Sequence, residues 1–266
     1  QHYQLKIKIA IELSKMRSKL EFLRTMLEDC RDNQSVLLNI TDRDHDVRIV
    51  SPADGDPFRD LHFHYMEVNG KNVSVLCPKR NFGDECPICE FASALWKDSS
   101  SSGDQEGMKM AKSLFVKQRF FSPVLVRGEE DKGVRIWGYG KSTYETLLGL
   151  VLNPDYGDIT DIDEGTDLTL TYGKTSGASF AQTKIQPRRK TSPLCNTKVG
   201  GKDRCAELLQ NIPSVDTIYP RKSTADVQKA LDEFLADESS AGDDVVKYNT
   251  ANTSRIDQAY QELMGD

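Results

Sequence analysis

The sequence predicts a mainly β fold, a small barrel with flanking helices, on three observations. Short apolar runs of about five to eight residues, separated by turn residues, fill the middle of the chain. Helical periodicity is confined to a few stretches before, between and after those runs. The runs do not alternate with helices as a doubly wound α/β sheet requires, so strands closing on themselves are the simpler architecture.

Taken in order, residues 9–30 carry Ile9, Leu13, Met16, Leu20, Leu23 and Leu27 at spacings of three and four, the apolar stripe of one helix. That helix is expected to pack on its own core or against a second copy of the chain, with Cys30 as a core residue. After Val36 the runs VRIVSP, LHFHYMEV, KNVSVLC, FFSPVLV, VRIWGYG and DLTLTYGK each read as a strand. SALWKDSSSSGDQEG offers no apolar partner residues and reads as a mobile surface excursion. KSTYETLLGLVL is expected to be a helix joining strands. STADVQKALDEFLADE is expected to be a second, with Ser223 as its cap and Asp226 three residues on completing a variant capping box.

A chain of 266 residues buries an ample core without covalent staples. With 38% apolar and 29% charged residues, and no apolar run near the roughly 20 residues that span a bilayer, it reads as a cytoplasmic protein with no membrane partner. Its first residues, QHYQLKIKIAIELSKM, lack an initiator Met and a small-residue cleavage site, so the natural start is expected upstream. Six cysteines in this setting point to thiolate ligands or core thiols rather than a disulfide framework. The formal charge of −6 is unevenly spread. From Ala225 onward ten acids face three bases, which leaves the rest of the chain at +1.

The most specific motif is Cys86-Pro-Ile-Cys89, a knuckle that brings two thiolates from one tight turn to adjacent corners of a tetrahedral ion. Cys77 supplies a third thiolate. Asn69-Gly70 signals a two-residue hairpin that pairs Val68 with Lys71 and, counting outward, His64 with Val75 and His62 with Cys77. Both histidines therefore share the Cys77 face, and hairpin geometry alone leans toward His62 as the fourth ligand. Three thiolates and one imidazole close a zinc shell with no position for water, which implies one structural Zn²⁺. Cys195 and Cys205, bracketing NTKVGGKDR with no histidine nearby, read as ordinary thiols.

Downstream, Lys112, Lys117, Arg119, Arg127, Lys132, Arg135 and Lys141 interleave with Phe120, Phe121, Trp137, Tyr139 and Tyr144. A groove for unpaired nucleic acid needs that mixture, because bases stack on rings while cations follow phosphates. In an extended strand Arg135, Trp137 and Tyr139 share one face, with Ile136 on the other. The run TKIQPRRKTSP adds Lys184, Arg188, Arg189 and Lys190 beside hydroxyls that reach phosphate oxygens.

These pieces together resemble the T-even bacteriophage single-stranded DNA-binding (gene 32 protein) family over roughly residues 46–190. The resemblance rests on the Asn-Gly hairpin, the Cys and Cys-Pro-x-Cys, and the segments KSLFVKQRFFSPVLV, VRIWGYGKSTYETLLGL and LTLTYGKTSGASFAQTKI. It implies an OB-fold, a five-stranded Greek-key barrel, with a zinc subdomain, no enzymatic activity, and coating of single-stranded DNA in replication, recombination and repair within a phage host's cytoplasm. By the family's spacing, thirteen residues before the first cysteine, the histidine ligand is His64 rather than His62, so the implied ligands are His64, Cys77, Cys86 and Cys89. The interval from Cys77 to Cys86 is one residue shorter than the family's.

The family's DNA-facing aromatic pair falls on Phe120 and Phe121, and the basic residues before it on Lys117 and Arg119. Its later Ser-Gly loop with an aromatic falls on Ser176, Gly177 and Phe180, flanked by Lys174 and Lys184. The family's Arg-Lys-Ser-Thr arm for cooperative contacts between neighbours is matched only by Arg221 to Thr224. Its acidic tail, which recruits replication and recombination proteins, resembles the acidic segment after Ala225. The resulting division is a helical segment over 1–35, a DNA-binding core over 36–220 with its zinc subdomain at about 60–95, and an acidic, partly helical segment over 221–266. Two other classes fit parts of the sequence. One is a zinc-bearing primase or nuclease using Asp158, Asp161, Asp163 and Glu164 for Mg²⁺; the other is a zinc-stapled protein-interaction module.

Overall fold

The computed structural model describes residues 36–40, 43–53, 55–174, 181–195 and 201–240. The helix expected over 9–30, Cys30, the loop residues Ser176, Gly177 and Phe180, and the acidic segment beyond residue 240 lie outside them. The described residues form a mixed sheet with flanking helices, divided into two compact units.

The first unit comprises Gln1–Pro57, Ser122–Gly138 and Thr146–Pro213. Its strands are β1 (Leu37–Leu38), β2 (His45–Ile49), the second half of β5 (Lys117–Val126), β6 (Val134–Tyr139), β7 (Leu168–Gly173) and β8 (Gln182–Pro187). They lie in the order β1-β6-β5-β2-β7-β8. β1 is parallel to β6, whereas β2 is antiparallel to both β5 and β7. Both faces of β2, β5 and β6 are covered, so Val47, Ile49, Leu125, Ile136 and Trp137 are all buried. β8 pairs with β7 from Leu168 opposite Pro187 to Gly173 opposite Gln182, in a segment that reads from sequence as a basic loop. Its strand character was hidden because only alternate positions are partly covered, with Lys184 and Gln186 exposed.

The second unit comprises Phe58–Phe121, Tyr139–Glu145 and Ser214–Asp266. Here β3 (Arg59–Val68) pairs antiparallel with β4 (Lys71–Leu76) in the expected register, with Val68 opposite Lys71 and His64 opposite Val75. The turn holds Asn69 at φ 51° and Gly70 at φ 70°, the left-handed pair that a two-residue hairpin requires. β3 also pairs with the first half of β5, Phe63 opposite Lys117.

Helices α1 (Pro78–Phe82), α2 (Pro87–Ser102) and α3 (Gln105–Leu114) follow the hairpin. The serine-rich stretch is therefore not a surface excursion. Ile88, Phe91, Ala92, Leu95 and Ser99 recur at helical spacing and are all buried. Ser93, Ser101 and Ser102 turn their hydroxyls back onto carbonyls of the preceding turn, which keeps the polar run compatible with helix. The Asp104 carboxylate accepts from the Glu106 and Gly107 backbone N–H groups and starts α3. At Gly107 a Cβ would fall 2.1 Å from Ser99 Oγ, so that glycine permits the close approach of α3 to α2.

Helix α4 (Lys141–Val151) matches the expected joining helix. Two further helices, α5 (Gly201–Gln210) and the short α6 (Val215–Ile218), precede the last, α7 (Thr224–Ser240). α7 begins as expected: the Asp226 backbone N–H donates to Ser223 Oγ at 3.1 Å, and the Ser223 hydroxyl donates to the Asp226 carboxylate at 2.6 Å. It buries Val227, Leu231 and Phe234 in one core with Met66, Val75, Ile88 and Leu114.

Candidate metal centre and nucleic-acid interface

The four residues His64, Cys77, Cys86 and Cys89 converge so that their ligand atoms all lie within 4.8 Å of one another. Each is delivered by a local rule. His64 projects from β3, Cys77 leaves β4 to cap α1, and Cys86 caps α2, whose first turn carries Cys89. Hairpin geometry leans to His62 because it lies opposite Cys77, and the Cys77 N–H does donate to the His62 carbonyl at 2.9 Å. Cys77, however, has left the strand. Its Sγ accepts from the Arg80 N–H at 3.4 Å, so the cluster gathers one rung inward, at His64.

The His64 ring has a defined orientation. Its Nδ1 meets the Leu114 carbonyl at 2.7 Å, while Nε2 lies 3.3 Å from Cys86 Sγ and 3.4 Å from Cys89 Sγ. With the Nδ1 proton donated to that carbonyl, Nε2 is the ring nitrogen that faces the sulfurs. Cys77 and Cys89 Sγ are 3.5 Å apart, too far for a disulfide. A tetrahedral ion with metal–sulfur bonds of about 2.3 Å separates its sulfurs by about 3.8 Å, so the four residues fit one metal ion. Burial pushes the His64 imidazole toward neutrality, but hydrogen bonds with Cys77, Cys86 and the Leu114 carbonyl outweigh it and raise the ring to about 9. Hydrogen bonds from Cys86 and Cys89 pull Cys77 toward thiolate.

On the other face of the β3–β5 ribbon lie Tyr65, Lys117 and Arg119. The strand registers give all three the same parity, opposite to that of His62 and His64. Lys117 Nζ is 5.8 Å from the centre of the Tyr65 ring. Tyr219 joins them from beyond α6, 5.0 Å from Phe63 and 5.2 Å from Phe121 between ring centres. Burial raises both tyrosine hydroxyls, and the Arg119 charge works against it at each. Tyr65 and Tyr219 are half-buried, Lys117 is exposed and Arg119 is partly so. The face combines two rings with two cations.

Sequence reasoning passed over both tyrosines. Tyr65 was legible in principle from its parity with Lys117, but only once the β3–β5 pairing was known. Tyr219 carries no local signal.

The other expected contacts fall into groups. Phe120 and Phe121 are 5% and 4% exposed. Phe120 stacks on Tyr144 at 4.0 Å with planes 3° apart, and Phe121 packs on Phe63. These two rings are packed within the unit and present no open face. β6 does not show the polar-aromatic face expected of it, because Arg135, Trp137 and Tyr139 are as buried as Ile136. Arg135 donates to Glu129 at 2.7 Å, a carboxylate that also binds Arg43 and Lys132. Lys112 is exposed with its Nζ 5.2 Å from the Trp96 ring centre, and Lys141 lies 3.8 Å from Glu145.

In the first unit Lys174, Lys184, Arg188 and Arg189 are exposed. Arg188 pairs with Asp46, and both border a pocket of about 600 Å³ with Arg189 and Lys190. Asp158, Asp161, Asp163 and Glu164 shape a turn: Asp158 accepts from the Thr160 N–H and hydroxyl, and Asp161 from the Asp163 and Glu164 N–H groups. Cys195 and Cys205 are not free thiols but a disulfide, with Cα atoms 5.6 Å apart. α5 turns Cys205 inward to a core with Val50, Leu125, Val134 and Leu194. The absence of a nearby histidine left that pairing unread.

A helix-flanked mixed sheet with a thiolate–imidazole cluster that fits a metal ion, beside a strand face of tyrosines and cations, has the makings of a nucleic-acid-binding module. The family model described as gp32 DNA-binding protein-like matches residues 41–235, and the chain belongs to this gene 32-like single-stranded DNA-binding family. No curated protein matches it. Among the described residues no helix is long and apolar enough to cross a membrane.

Proposed function

We propose that the chain binds single-stranded DNA without sequence preference and coats it during phage replication, recombination and repair. On this reading its strands belong to an OB-type barrel, the metal is zinc, and the zinc is structural. Three thiolates and an imidazole are the donor set that zinc prefers, and they leave no open position for substrate or water. Membership of the gp32-like family supports DNA as the partner. The observation that carries the proposal is the face shared by Tyr65, Tyr219, Lys117 and Arg119, where bases stack and phosphates find charge. The exposed cations Lys174, Lys184 and Arg189 extend the same chemistry in the other unit. The acidic segment after Ala225 is the surface for replication and recombination proteins, and the segment over residues 1–35 the one for a second copy.

The experiment is a salt series of equilibrium titrations with oligo(dT), duplex of equal length, and Mg²⁺. Oligo(dT) is expected to bind and the duplex to bind far more weakly, with no cleavage or synthesis. Arg119→Ala should reduce the slope of log affinity against log salt by about 0.7, one single-strand phosphate contact. Tyr65→Ala should weaken binding by about 1–3 kcal/mol with the slope unchanged. Equal affinity for duplex, or hydrolysis in Mg²⁺, would sink the proposal.

A further inference from the structure

We propose that the pocket beside the metal centre is a subsite for one nucleotide of the bound strand, with its phosphodiester against Lys79 and Arg80 and its base against Phe115. The inference rests on the single-strand reading above and adds a contact on the opposite face of the β3–β5 ribbon. The pocket has a volume of about 490 Å³, within the range of small-ligand sites. Its apolar wall is Leu114, Phe115 and Val116, and its polar rim includes His62, Lys79 and Arg80. No carboxylate lines it, in contrast to the pocket beside Arg188, where Asp46 and Asp167 both stand.

Lys79 and Arg80 are exposed, and among the described residues neither side chain has a carboxylate partner. A metal dication with three thiolates and a neutral imidazole carries one negative charge, so the two cations leave one positive charge over. That matches a single phosphodiester. Phe115 is 38% exposed, one of the few large apolar side chains left open to solvent. Its ring lies 5.8 Å from Trp96, and Lys112 stands over the far ring. A base stacked on Phe115 therefore comes within the electronic reach of Trp96, while the other tryptophan, Trp137, is buried in the first unit.

The test uses the full chain in its metal-loaded form, with anisotropy of labelled oligo(dT) reporting binding and tryptophan emission reporting the pocket. Oligo(dT) is expected to quench emission, and Trp96→Phe to abolish the quench while leaving anisotropy intact. Lys79→Ala with Arg80→Ala should lower the salt slope by about 0.7, the one phosphodiester that the two cations share. Phe115→Ala should weaken binding about tenfold at unchanged slope. All these side chains are exposed or half-exposed, and unchanged melting and metal content would certify the variants as folded. If oligo(dT) binds with emission and slope indifferent to the variants, the subsite is wrong and the single-strand reading stands. If inorganic phosphate alone alters emission and oligo(dT) does not, the pocket is a free-anion site and the subsite is equally wrong. No binding of oligo(dT) at all would overturn both.

Discussion

The two units fix their irregular segments by opposite means. In the hairpin unit four side chains from β3, the end of β4 and the start of α2 bring their ligand atoms to one point, a cluster that fits one metal ion as common partner. In the sheet unit the common partner is a buried arginine. Arg48, with no exposed surface, donates to Asp167 at 2.9 Å, to the Gly165 carbonyl at 2.9 Å and to the Ser192 carbonyl at 2.8 Å. Arg127 binds the same Asp167 carboxylate at 3.0 Å and the Leu194 carbonyl at 2.7 Å. At Gly165 a Cβ would stand 2.6 Å from Arg48 and 2.3 Å from the Asp161 carbonyl, so the loop closes on the guanidinium only as glycine. An ion concentrates the anchoring in one removable centre. The arginine spreads it over backbone carbonyls that a chelator cannot reach.

Removal of the metal should set the two units furthest apart. Cys86→Ser, or a strong chelator, is expected to cost the hairpin unit several kcal/mol, because a structural zinc site contributes on the order of 10 kcal/mol of binding free energy to folding. Calorimetry should show one transition falling steeply while a second, from the sheet unit, holds. Unchanged melting in a metal-free variant would refute the role given to the ion. Next comes Arg48→Met, which takes their guanidinium partner from the Ser192 carbonyl and the Asp167 carboxylate and should destabilise the sheet unit by about 3–5 kcal/mol. Metal content should not change, and a loss of metal in that variant would mean that the anchors are not separate.

The contrast also sorts what the sequence could reveal. Thiolate ligands come from a residue type seldom used otherwise, at spacings fixed by a turn, so the knuckle and the hairpin register were readable, and with them the convergence of the three cysteines on β3. His64 over His62 was not decided by parity, because Cys77 leaves its strand to cap a helix. Arg48 gave no signal: a lone arginine between apolar residues in VRIV reads as an exposed strand position, and its partners, backbone carbonyls and the Asp167 carboxylate, lie more than a hundred residues away. The interface was half legible. The sequence singles out Lys117 and Arg119 of the proposed face, whereas Trp137 and Tyr139 are buried and Tyr65 and Tyr219 are supplied by strand pairing and by a distant turn.

A smaller effect separates the two sets of cysteines. Mild reduction should open Cys195–Cys205 and cost the sheet unit about 2–3 kcal/mol, the loop-entropy value for a ten-residue separation. The same treatment should leave the hairpin unit unaffected, since its thiols need no oxidation to hold a metal. Mass-shift counting of alkylated cysteines, with melting in parallel, checks both halves.

The smallest effect lies in acid and belongs to Glu129. Its hydrogen bond from Lys132, and then Arg135 and Arg43, hold the carboxyl down at about 2 against an ordinary value of 4.5. A depressed carboxylate adds stability that is complete above the unfolded value and disappears as pH falls through the folded one. The turn between β5 and β6 should therefore stay intact at pH 4 and loosen toward pH 2. Glu129→Gln removes that charge, and should flatten the sheet unit's stability between pH 5 and 2 while lowering it at neutral pH. A variant whose melting tracks the parent's across that window would show that three cations around one carboxylate contribute nothing, and that Arg48 and the disulfide alone hold this end of the sheet.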